Sequence, residues 1–149
     1  MNSEPPPPEG TALGLMRAMT RLRARLRFEA PIGDLPVTWS HLTVLHRIVE
    51  QGQATATELA HAEHVRRQSM AETLSGLRST GLITDGRDPN DGRKVLVSAT
   101  EAGRAVVERS EATREAWLSK AISGTVTAEE RRVLDQAAAI MDRLADAEV

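Results

Sequence analysis

Apolar residues recur along the chain first at helical spacing, then briefly in β-type runs, then at helical spacing again. Over residues 11–29, Leu15, Met19, Leu22 and Leu26 fall at i, i+4, i+7 and i+11, one continuous stripe interleaved with Arg17, Arg21, Arg23, Arg25 and Arg27. Pro31, Gly33 and Pro36 disfavour any continuation of that helix. A second helix is expected from Thr38 or Ser40, both good N-caps, carrying Leu42, Leu45, Ile48 and Val49 inward and stopping near Gly52. A short third helix opens at Thr55 or Thr57, and Thr55 with Glu58 has the form of a capping box. The fourth, over about 67–80, has the stripe Met70, Leu74 and Leu77 with Ala71 beside it, and Gly81 ends it.

The period then changes. Leu82-Ile83 and Val95-Leu96-Val97 are short β-type runs around the turn-forming sequence Asp88-Pro89-Asn90-Asp91-Gly92, which predicts a two-stranded hairpin too small to fold alone. A further helix is expected from Glu101 through Val106 and Trp117. Gly124 separates it from a last helix that Thr127 caps with Glu130, striped by Leu134, Ala137 or Ala138, Met141 and Leu144. Residues 1–10, with four consecutive prolines, read as a disordered or polyproline-like arm.

The chain has 149 residues, the length of one domain, and its composition is that of a soluble globular protein. It has no cysteine, which excludes disulfides and thiolate metal sites. Phe28, Trp39 and Trp117 are its only aromatic residues, too few for a fold that stacks bases on aromatic platforms. No run is apolar enough to span a membrane and no secretory signal is visible, so a cytoplasmic location is expected. No nucleophile–base set or glycine-rich phosphate loop points to an enzyme or to a cofactor. His61 and His64 flank Glu63 at a spacing that could hold a metal, but without a third ligand the structural reading is favoured and no metal site is expected.

The order of elements carries the function. Two short helices joined by a tight turn, the second with a polar and basic first turn, form a helix-turn-helix, and the hairpin that follows forms a wing. A helix N-terminus offers free N–H groups to phosphates while long side chains there reach base edges. Arg66, Arg67, Gln68 and Ser69 are donor-rich residues in that position, and Arg87, Arg93 and Lys94 lie at or near the tip of the wing, where an arginine can enter a narrow minor groove.

The run over 59–103 resembles the winged helix-turn-helix of the multiple-antibiotic-resistance regulator (MarR) family, and GLITDGRDPNDGRKVLVSATEAG over 81–103 is similar to that family's wing and the start of its next helix. With the flanking helices the resemblance covers about 11–147. It implies a mainly helical fold with a small β-hairpin wing, in an obligate homodimer built on the first and the last two helices. Such a dimer binds a pseudo-palindromic DNA operator, usually represses, and in many cases is released by a small anionic or phenolic effector. By position, Arg66 to Ser69 and Thr73 match the DNA-facing side of the recognition helix, while Asp91 and Arg93 match an Asp-x-Arg wing signature in which the arginine reaches the minor groove and the aspartate orients the wing. Trp39, His41 and Leu42 fall where the family's ligand crevice lies. Three positions depart from the pattern and remove positive charge: Glu72, Asp85 in place of a frequent arginine, and Gly92 in place of a basic residue.

The expected organisation is thus an arm at 1–10, a dimerisation helix and linker at 11–36, a winged helix-turn-helix at 37–100 and dimerisation helices at 101–149. The expected partners are double-stranded DNA, a second copy of the chain and a small aromatic or anionic effector, with no membrane. The net charge of −2 is unevenly spread: +1 over 1–36, zero over 37–100 and −3 over 101–149. A neutral DNA lobe depends on where its few cations point, and it leaves open the alternative of a winged-helix interaction or ligand-binding module with weak or lost DNA binding.

Overall fold

The computed structural model describes residues 5–29, 31–33 and 37–148. Six helices and one antiparallel hairpin follow in the order α1 (Pro8–Glu29), α2 (Trp39–Gln51), α3 (Ala56–Ala62), α4 (Arg67–Ser79), β1 (Ile83–Arg87), β2 (Val95–Ala99), α5 (Glu101–Thr125) and α6 (Ala128–Ala145). The chain divides into two compact units, one of residues 30–113 and one of residues 1–29 with 114–149.

The first unit holds all the buried apolar side chains found among the described residues. Leu42, Val44, Leu45 and Ile48 of α2 meet Leu59 and Ala60 of α3 and Met70, Leu74 and Leu77 of α4, closed by Leu82, Ile83, Val97, Val106 and Val107. Val44 joins this core although the expected stripe omitted it, Val49 packs against its edge, and Ala71 is exposed. Helix starts follow local chemistry. Thr38 and Thr55 each accept a bond from the N–H three residues on, and the side chains of His41 and Glu58 return one to the cap backbone. The wing pairs Ile83 with Ala99 and Arg87 with Val95, and Ala54 adds a bridge to Val97 on the outer side of β2. Since two strands have little stability of their own, that bridge and the buried Leu82, Ile83 and Val97 hold the wing to the helices. At the far end, Thr100 ties the hairpin to α5: its hydroxyl donates to the Gly81 carbonyl and accepts from the Gly103 N–H.

The second unit comprises α1, the latter part of α5, and α6. Thr127 and Glu130 cap α6 reciprocally. Arg25 pairs with Glu29 at 2.5 Å and stands over the rings of Phe28 and Trp117, 5.9 and 5.7 Å from their centroids. No residue of α1 or α6 is buried, and Met16, Leu22, Leu134 and Leu144 are among their exposed apolar side chains.

Three boundaries differ from expectation. α1 begins at Pro8 rather than at 11, because proline is well tolerated in a first helical turn; residues 1–4 of the expected arm lie outside the described residues, as do 30 and 34–36 of the expected linker. Gly124 falls inside α5, since a single glycine costs a helix only about 1 kcal/mol. α4 ends at Ser79 with Thr80 as its cap, and Gly81 takes the positive φ of 72° just beyond.

Candidate nucleic-acid interface

The helix-turn-helix is α3, the turn Glu63-His64-Val65, and α4. Its turn is tight enough to put His64 at φ 52°, a left-handed conformation rare for a side-chain-bearing residue. Arg47 of α2 donates from Nε to the Glu63 carboxylate, so the turn is fastened to the first helix of the core by a half-buried ion pair. Sequence reading missed this pair because its members are 16 positions apart and neither belongs to a motif.

Arg66, Arg67, Gln68 and Ser69 are all exposed, and Thr73 is half-buried with its hydroxyl donating to the Ser69 carbonyl. Arg66 is the N-cap of α4 and makes no side-chain cap bond. Threonine side chains cap α2, α3 and α6, whereas the first N–H groups of α4 have no such partner, leaving partial positive charge beside two arginines. Glu72 lies exposed on the same helix.

The wing is shaped by its own polar groups. The Asp91 carboxylate accepts the Arg93 N–H at 3.1 Å and its carbonyl accepts the Lys94 N–H at 3.0 Å. Asp88 accepts the Asn90 N–H, closing an Asx turn around Pro89. Arg87 is committed to the wing itself: Nη1 donates to the Gly92 carbonyl at 2.8 Å, bracing the tip. Asp91 therefore shapes the turn while the exposed Arg93 guanidinium makes no hydrogen bond or ion pair with the described residues. Lys94 faces the start of α3 across an open groove lined by Thr55, Thr57, Glu58 and Arg93. There the Thr55 backbone N–H and hydroxyl hold the Glu58 carboxyl below its ordinary value, with Lys94 adding to the same effect.

Asp85 is paired with a particular arginine. Arg78, in the last turn of α4, donates from Nε to its carboxylate at 2.8 Å, so the acid that departs from the family pattern joins recognition helix to wing.

Of the three residues expected in a ligand crevice, the structure sets Leu42 in a pocket of about 70 Å³ with Pro31, Ile32, Val106, Arg109, Ser110 and Thr113. Trp39 and His41 do not line that pocket. His41 faces α4, with Nδ1 accepting the Thr38 N–H at 3.0 Å. His46, on the same helix, pairs through Nδ1 with Glu111 at 3.1 Å and leaves a buried Nε2 without a partner. His61 and His64 have rings 6.4 Å apart, and among the described residues no group of three or more His, Cys, Asp or Glu could hold a metal ion. No helix among the described residues is long and apolar enough to cross a membrane.

The chain is similar to known proteins over most of its length. Residues 37–95 match the MarR family. An HTH-type transcriptional regulator of Mycobacterium tuberculosis is 36% identical over 135 residues, 91% of this chain and 92% of its own length. A crystal structure from Pseudomonas aeruginosa superposes with a TM-score of 0.76 at 35% identity, covering 93% of this chain and 96% of that one. The fold is also that of Streptococcus pneumoniae FabT, solved in complex with DNA, at a TM-score of 0.73 and 16% identity over 93% and 96% of the two chains. With a helix-turn-helix, an Asp-x-Arg wing and a relative alike over nearly its whole length, the chain belongs to the MarR family of helix-turn-helix transcriptional regulators.

Proposed function

We propose that the chain is a homodimeric repressor that binds a pseudo-palindromic operator and is released by a small anionic effector. The observation that carries the DNA reading is the pairing of an uncapped, arginine-flanked α4 N-terminus with a wing whose Asp91 shapes the turn that presents Arg93. The first can dock on phosphates and reach base edges in the major groove, and Arg93 suits an adjacent minor groove. Arg66, Arg67, Gln68, Ser69 and Thr73 take the major-groove role, and Arg93 with Lys94 the minor-groove role. Arg87 and Asp91 act by shaping the wing. That FabT, of the same fold, is solved in complex with DNA supports DNA as the partner.

Dimerisation is supported by the apolar side chains of α1 and α6. Leu13, Met16, Met19, Leu22, Val133, Leu134, Ile140 and Leu144 are too many exposed apolar groups for two helices to leave in water. A two-fold dimer sets its recognition helices about one helical turn of DNA apart, on the order of 34–36 Å. The Leu42 pocket, with Arg109 in its lining, suits the carboxylate end of an effector rather than a whole drug-sized ring. An effector there lowers DNA affinity only by favouring dimers with a different recognition-helix spacing.

Selection of duplexes from a random-sequence library by the purified protein tests the reading. Enrichment of an inverted repeat with salt-sensitive affinity supports it; no enrichment at low salt favours a protein-interaction module. For the effector, a thermal-shift series of small carboxylates on wild-type protein and Arg109→Ala should show stabilisation that the substitution removes.

A further inference from the structure

Gly76 lies inside α4, where glycine is the second-worst helix residue after proline, so its presence calls for a local reason. The reason is His41. A Cβ at Gly76 would lie 2.6 Å from His41 Nε2 and 3.0 Å from Cε1, a space the imidazole already fills. The ring has little freedom to retreat. Nδ1 accepts the Thr38 N–H at 3.0 Å while the Thr38 hydroxyl accepts the His41 N–H at 3.2 Å, so one side chain closes the capping box of α2 and seats α4. Ser69, Thr73 and Gly76 follow at i, i+4 and i+7 along one stripe of α4, so the ring rests one turn behind the residues assigned to base reading.

We propose that His41, seated on the bare backbone of Gly76, is a positioning residue for DNA recognition that fixes how close the Ser69–Thr73 stripe of α4 stands to α2. This rests on the DNA-binding reading above. The contact joins rigid groups on both sides, helix backbone and a ring bonded to a cap. A side chain at Gly76 must therefore tilt α4 or expel the ring from the cap, and either change moves the reading face.

A double-mutant cycle tests it, using a duplex enriched by the wild-type protein from a random library and reading both affinity and thermal midpoint. Gly76→Ala is expected to weaken DNA binding about tenfold. In a His41→Ala background the same change is expected to cost little affinity and to raise the midpoint, because alanine is the better helix former once the ring is gone. His41→Gln keeps a side chain able to close the cap, and is expected to retain a near-wild-type midpoint while binding several-fold more weakly. That variant carries the test by itself if Gly76→Ala does not fold. Independent, multiplying effects in the cycle, or wild-type affinity in His41→Gln, overturn the positioning role alone. A wild-type protein that enriches no duplex overturns the DNA reading and this inference with it.

Discussion

A Cβ at Gly103 would overlap the carbonyl oxygen of Leu82 and lie 3.1 Å from its carbon and 3.3 Å from Leu45 Cδ1. The first turn of α5 thus touches the backbone at the start of the wing, and the obstacle cannot rotate away. Gly103→Ala is expected to destabilise the protein by about 3 kcal/mol, the upper end for overpacking. Gly124→Ala, in the same helix with nothing within 4 Å, should stabilise it by about 0.5–1 kcal/mol. Denaturant midpoints of the two variants check this; similar shifts in both would contradict it.

The Arg78–Asp85 pair predicts a separation of stability from binding. Both side chains are more than a third exposed, at 38% and 39%, so the pair contributes at most about 1 kcal/mol. Asp85→Asn should leave the unfolding midpoint nearly unchanged and release Arg78 on the recognition helix. DNA affinity should then rise and the salt slope steepen by about one phosphate's worth. The gain should vanish in Arg78→Ala/Asp85→Asn, which a titration series over salt measures.

Capping makes part of the stability acid-sensitive. Bonds to the backbone N–H and hydroxyl of Thr55 and Thr127 hold the carboxyls of Glu58 and Glu130 below their ordinary values. A carboxyl lowered in the folded state contributes fully above its unfolded value, and the contribution is lost as pH falls through the folded one. Urea midpoints measured from about pH 6 to pH 3 should fall less steeply in Glu58→Gln/Glu130→Gln than in wild type. Parallel profiles would contradict this.

The apolar faces of α1 and α6 predict a dimer that a single charge can disrupt. Light scattering at micromolar concentration should return twice the chain mass for wild type. Leu22→Glu or Leu134→Glu should shift the protein toward monomer, since each puts a charge on a side chain that needs an apolar partner. A wild-type monomer would contradict the dimer.

Much of this structure was legible in the sequence because its signals are local. Thr55 and Glu58, Thr127 and Glu130, the Asp91-Gly92 turn and the stripe Met70, Leu74, Leu77 each specify a few residues by near-neighbour chemistry, and the elements follow. What was not legible joins distant positions. The bonds of Arg47 to Glu63 and Arg78 to Asp85, and the seat of His41 on Gly76, depend on how helices pack on one another and on the wing, to which the periodicity of a single segment is blind. Ala71 shows the same limit from the other side. It borders the core stripe of α4 in sequence yet is exposed, because the packed side of that helix is narrower than the pattern allowed.

Binding of duplex DNA by this neutral lobe is expected to rest on the start of α4 and one projecting arginine of the wing. Its most direct test is the affinity of wild-type protein and Arg93→Ala for a selected duplex at two salt concentrations. Wild-type binding is expected to weaken as salt rises, with a loss of about 1–3 kcal/mol in Arg93→Ala and a shallower salt slope in that variant. Equal affinities and equal slopes would remove the wing from recognition, and a wild-type protein that binds no duplex at low salt would contradict DNA recognition by this lobe altogether.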